Sequence, residues 1–125
     1  MYNPKTAVAT ALSTDSALIA LIPKVRMFDG IAKFTGEPGS APYLTYEELA
    51  NIPGMEADDE TIEDEITIRV HLWGTASLST IAGHVNRIMV AAGYTRNYSM
   101  DQDEQLDTGQ IIKHKIASYS GNFTA

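Results

Sequence analysis

The stretch Ile66-Thr67-Ile68-Arg69-Val70-His71-Leu72-Trp73 constrains this chain more than any other. Ile66, Ile68, Val70 and Leu72 recur at every second position, the spacing that puts residues on one face of a β-strand. Gly74-Thr75 breaks the pattern. Leu78, Ile81, Ala82, Val85, Ile88, Met89 and Ala92 then follow at the 3.6-residue period of a helix with a single apolar stripe. Thr75 or Ser77 is placed to cap that helix, and Gly93 to stop it. If the helix covers the apolar row of the strand, the opposite row of Thr67, Arg69, His71 and Trp73 must meet water, the N-terminal helices or another chain.

The flanking segments are weaker in pattern but consistent in kind. Ala7, Ala11 and Leu12, then Leu18, Ile19, Leu21 and Ile22, predict an opening helical region in two pieces. Ser13-Thr14-Asp15 supplies N-cap residues for the second piece, and Pro23 ends it by pushing its predecessor out of the α region. Short strands are expected at Val25–Phe28, Pro42–Leu49 and Tyr94–Met100. A last strand is expected at Ile111–Tyr119, loosening at Ser120-Gly121-Asn122. Asp29–Ala41 and Asn51–Glu60 are irregular and rich in Gly, Pro and acidic residues, as functional loops often are. The fold class is therefore α+β: a mixed or mostly antiparallel sheet of four to five strands, an N-terminal helical region and one long amphipathic helix packed on the sheet.

Size and charge narrow the function. With 125 residues the chain fits one domain, 1–125, and can bury enough surface to fold without disulfide or metal. It has no cysteine, which removes thiolate chemistry and fits a reducing cytosol. No apolar run reaches the roughly 20 residues that span a bilayer, and the first residues lack the layout of a signal peptide. A net charge of −7 argues against a general nucleic-acid binder, which must neutralise phosphates. It does not forbid a wall that DNA slides past.

No motif for catalysis stands out, so no catalytic, cofactor or metal residue is assigned. Asp101–Asp107 imitates the start of a calcium loop, but the positions that need Gly and a bidentate Glu hold Leu106 and Ile112. The Gly36-Glu37-Pro38-Gly39 loop lacks the Lys and Ser/Thr of a phosphate-binding loop. His71, His84 and His114 have no metal spacing and read as structural or surface residues. The acidic stretch from Glu56 to Glu65, including Asp58, Asp59 and Glu60, reads either as a solvated loop or as an acidic functional surface. Trp73 reads either as packing at the strand–helix corner or as a subunit contact, where Trp and Tyr are favoured anchors.

Five features occur in order along the chain: helices ending at Pro23, the short strand Val25-Arg26-Met27-Phe28, the Pro42-Tyr43-Leu44-Thr45-Tyr46 strand, His71-Leu72-Trp73-Gly74 running into the long helix, and the Lys113-His114-Lys115-Ile116 segment. Together they resemble the tail-completion proteins of long-tailed phages and prophages, also called tail-terminator or tail-to-head joining proteins. The resemblance implies a structural, non-enzymatic virion protein without cofactor. It implies a homo-hexameric ring that closes the tail tube, meets the tail-tube and head-connector proteins, and lets DNA pass without sequence-specific binding. It places the protein in the host cytoplasm during assembly and then in the virion tail. On this view Arg69, Trp73, Phe34 and Tyr43 are candidate subunit-interface residues, and Glu56, Asp58, Asp59 and Glu60 a candidate acidic lumen or loop surface. At least one of the two long loops, Asp29–Ala41 and Asn51–Glu60, is expected to be mobile in the free monomer and to order in the ring. The competing readings are another neck or tube component, and, from a different class, a small ligand-binding domain or enzyme with a polar pocket.

Overall fold

The computed structural model describes residues 3–32, 41–52 and 63–124. Helix α1 (Pro4–Thr14) starts with Pro4 in its first turn, where a missing N–H costs nothing, and with the Asn3 side chain accepting from the Thr6 amide. Asp15 caps α2 (Ser16–Leu21) in the same way, through the Leu18 amide. After Pro23, a single 3₁₀ turn over Lys24–Arg26 leads into β1 (Met27–Asp29). The strand expected at Val25–Phe28 therefore begins two residues later, because Arg26 N–H bonds back to the Pro23 carbonyl.

Then come β2 (Tyr43–Ile52), β3 (Glu63–Gly74), α3 (Ser79–Ala91), β4 (Thr95–Asp101), β5 (Glu104–Gln105) and β6 (Ile111–Thr124). The sheet order is β1-β2-β3-β6-β4, with β5 paired to β6 outside that path. Among the described strands only β1–β2 is parallel, so the α+β class with a mixed sheet holds. The described strands number six, against four to five expected; the extra one is β5, a two-residue piece in the polar turn.

β6 also runs past the expected end. Gly121, Asn122, Phe123 and Thr124 stay paired with Ile66, Glu65, Asp64 and Glu63, because β3 itself begins before its apolar row. Gly121 is needed there for closeness rather than looseness. A Cβ on it would stand 2.7 Å from the Phe123 ring and 2.9 Å from the Gly93 carbonyl oxygen. The Phe123 ring also lies 4.8 Å from the ring of Tyr94, so strand end and helix end close on each other.

The core lies between one sheet face and the helices. Ile66, Ile68, Val70 and Leu72 of β3 are buried, with Leu44 of β2 and Ala117 and Tyr119 of β6 beside them. Val8 and Leu12 of α1, Leu18 of α2, and Ile81, Val85, Ile88 and Met89 of α3 close over them. Each such aliphatic side chain, fully buried, stabilises the fold by about 1.5–3 kcal/mol. α3 begins at Ser79 without a side-chain cap on Leu78; Ser77 Oγ accepts from the Ser79 amide instead, at 3.4 Å. Gly93, at φ +100°, ends α3 as its sequence predicts. Arg87 of α3 makes a bidentate pair with Asp15, at 2.9 and 3.0 Å, joining the long helix to the α1–α2 corner.

Candidate functional site

The alternation that buries one row of β3 sends Thr67, Arg69, His71 and Trp73 to the other sheet face. Among the described residues no helix packs on that face. Strand register then decides which residues join them. Trp73 is paired with Tyr43 of β2 on one side and with His114 of β6 on the other. In a pleated sheet directly paired residues point the same way, so their three rings stand in a row. Tyr43 and Trp73 lie 5.8 Å apart at an interplanar angle of 9°, and Trp73 and His114 3.5 Å apart at 11°. The Arg26 guanidinium extends the row, 5.8 Å from the Tyr43 centroid, while donating to the carbonyls of Ala41 and Pro42.

A hydrogen-bonded line crosses the strands next to this ladder. His71 Nε2 is 3.0 Å from Glu47 Oε1, and His71 Nδ1 is 2.8 Å from His114 Nε2. A carboxylate can only accept, so Glu47 fixes the proton of His71 on Nε2. In the neutral pair, Nδ1 of His71 must then accept from Nε2–H of His114. That leaves His114 Nδ1 as a buried lone pair without a hydrogen-bond partner among the described residues. Glu47 also meets Arg69 at 3.6 Å, and Arg69 donates to the Tyr98 hydroxyl of β4 at 3.2 Å. Burial, and then the neighbouring His71, hold the His114 pKa below the usual imidazole range. Burial and the nearby Glu104 carboxylate raise that of Tyr43.

The face is therefore a polar and aromatic array tied internally, suited to contact more than to turnover. Among the described residues no group of three or more His, Asp or Glu is arranged to hold a metal ion. No described helix is long and apolar enough to cross a membrane. At the end of the ladder lies an open cleft of about 230 Å³, between Tyr43 and Trp73 on one wall and Glu104, Leu106 and Ile112 of the β5–β6 hairpin on the other. A second, polar cleft of about 190 Å³ lies near the start of α3. Its lysines are already engaged: Lys113 pairs with Asp103 at 3.3 Å and Lys115 with Asp101 at 2.8 Å.

Of the candidate interface residues, the fold brings Arg69, Trp73 and Tyr43 together on this one face. Phe34 lies outside the described residues, as do Glu56, Asp58, Asp59 and Glu60 and most of both long loops. His84 sits on the outward part of α3, where its Nδ1 is 3.2 Å from Arg87. Sequence reasoning missed Glu47, His114 and Tyr98 as members of the array. Glu47 and His114 lie 24 and 43 positions from His71, and only register brings them into reach.

A family model described as "Tail completion protein gp17" matches residues 6–118. No curated protein matches the chain. Among solved structures, the chain is similar to one from the virion of a native gene transfer agent particle. That likeness has a TM-score of 0.67 at 13% identity and covers 97% of this chain and 94% of that one. At such low identity it shows a shared fold.

Proposed function

Because the chain belongs to the tail completion protein gp17 family, and so is a structural protein of a phage-type tail, we propose that it closes the end of the tail tube. It does so as a ring of identical copies, hexameric when assembled, that stops tube growth and meets the head connector. The observation that carries the reading is the family match itself, which runs from α1 through most of β6 and so covers sheet and helical layer alike. The helix-free sheet face supports it. That face presents Arg69, Trp73 and Tyr43 as contact residues in a pre-organised array, the kind of aromatic and arginine surface that anchors protein interfaces. The net charge of −7 suits a lumen that lets DNA pass, and the acidic residues Glu56, Asp58, Asp59 and Glu60 are assigned to that wall. The protein works without catalysis, in the host cytoplasm during assembly and then in the tail.

Tail tubes assembled without this protein test the reading. Adding the purified protein should place one ring at one end of each tube, seen by negative-stain microscopy, and halt further elongation. Tubes that keep growing and carry no ring refute it. Long polymers formed by this protein alone would make it a tube subunit instead.

A further inference from the structure

Two surface features of this chain complement each other. The first is the cleft beside the ring ladder. Its walls are largely apolar, from Tyr43, Trp73, Leu106 and Ile112, and Glu104 supplies a carboxylate at its rim. Neither Glu104 nor the neighbouring Asp107 joins a salt bridge among the described residues. The second is the corner after α2. Val25 is 81% exposed there, the highest among the described large hydrophobic residues. Beside it Lys24 is exposed and enters no salt bridge among the described residues. One feature is an apolar hollow with a negative rim, and the other an apolar knob with a positive neighbour.

The two are separate patches joined through Arg26, which lies over the Tyr43 ring. Lys24 lines a hollow with Thr10 of α1 and Tyr46 of β2, on the helical side of the sheet. The cleft opens beside Tyr43 and Trp73, on the helix-free side. Such a contact, made from each copy to the next, leaves one patch free at either end for a further copy. It is head-to-tail, and repetition of a head-to-tail contact gives a ring when the rotation closes.

We propose that a second copy of this chain docks its Lys24–Val25 corner into the cleft of the first, with the Val25 side chain against Leu106 and Ile112 and the Lys24 ammonium at Glu104. The proposal rests on the ring-forming reading and names the surfaces that would make the ring. A lysine lays its aliphatic stem along apolar surface while its charge reaches a carboxylate, so cleft and corner are complementary in apolar character and in sign.

The absence of cysteine makes the test direct. Lys24→Cys and Glu104→Cys variants are mixed, with tube ends present to seed assembly, and treated with a short thiol-specific crosslinker. The mixture should yield a covalent dimer, while each variant alone should not. The chain carrying both cysteines should yield a ladder ending in a closed ring. A Ser99→Cys chain serves as a control for collision. In a parallel set, Lys24→Glu and Glu104→Lys should each reduce ring formation at least tenfold, and the two combined in one chain should restore it. Rings that form while the mixed cysteines crosslink no better than the control overturn this contact and leave the ring reading standing. Failure of the unaltered protein to form any ring overturns both.

Discussion

Replacing Gly121 by alanine probes the tightest surroundings of any described glycine. The added Cβ would lie 2.7 and 2.9 Å from two atoms of the Phe123 ring and 2.9 Å from the Gly93 carbonyl oxygen. Gly121 is not among the described glycines with positive φ, so alanine can adopt its backbone angles and the cost is packing alone. Overpacking of this kind costs about 1–3 kcal/mol, and the usual gain of alanine over glycine in a strand returns about 0.5–1 kcal/mol. Because one neighbour is a backbone oxygen that cannot swing aside, the upper half of the first range applies, and the net loss is about 1–2.5 kcal/mol, or a Tm lower by about 4–10 °C for a chain of this length. Urea denaturation followed by far-UV circular dichroism measures it. The Phe123→Ala background separates the two contacts, since it removes the ring and leaves the Gly93 oxygen in place. There Gly121→Ala should cost less by about 1 kcal/mol, yet more than nothing. A neutral Gly121→Ala, or a loss equal in both backgrounds, would refute the reasoning that strand end and helix end are packed to contact.

Other outcomes are equally specific. Ile68→Ala empties a fully buried position between sheet and helices and should cost about 2–5 kcal/mol, read from the shift of the urea midpoint. Asp15, held at a pKa of about 2 mainly by its hydrogen bonds from Arg87 and then by the Leu18 amide, contributes stability that is complete above the ordinary carboxylate pKa of 3.8 and is lost as pH falls through about 2; Arg87→Gln should move its NMR titration upward. His114 has a lowered pKa, so the unfolded chain takes up its proton first. Stability is therefore complete above about pH 6.5 and falls as pH drops below it, and His114→Phe should flatten that slope in urea melts between pH 8 and 5. Trp73 is the only tryptophan and lies 3.5 Å from the His114 ring, so its emission should drop on acidification with a midpoint below 6.5, and not in His114→Phe.

The strand–helix unit was legible because its two periods are set by neighbours in sequence. Ile66 to Leu72 alternate and Leu78 to Ala92 repeat, and each element buries the row so marked. The caps were legible for the same reason: Asp15 and Gly93 act within a few residues of themselves. The end of β6 was not. Gly121-Asn122 has the composition of a turn, and what keeps it extended is pairing with Ile66 and Glu65, far off in the chain. The array divides along the same line. Alternation in β3 put Arg69 and Trp73 on one face, whereas stacking against Tyr43 and His114 depends on two strand registers that no local pattern encodes.

The placement of β6 has a consequence for how this protein is made. Its residues come last of all the strands, yet it lies in the interior of the sheet, between β3 and β4. A nascent chain released before residue 111 lacks the strand on which β4 depends and the buried Tyr119 and Ala117, and it leaves β3 with an open edge. The sheet cannot be completed piece by piece as the ribosome works. It must wait for β6, which pairs with β3 and only then gives β4 its partner, a step set by long-range pairing and so slow beside helix formation. A chain that stops short of β6 therefore has neither the pairing partner of β4 nor the second partner of β3.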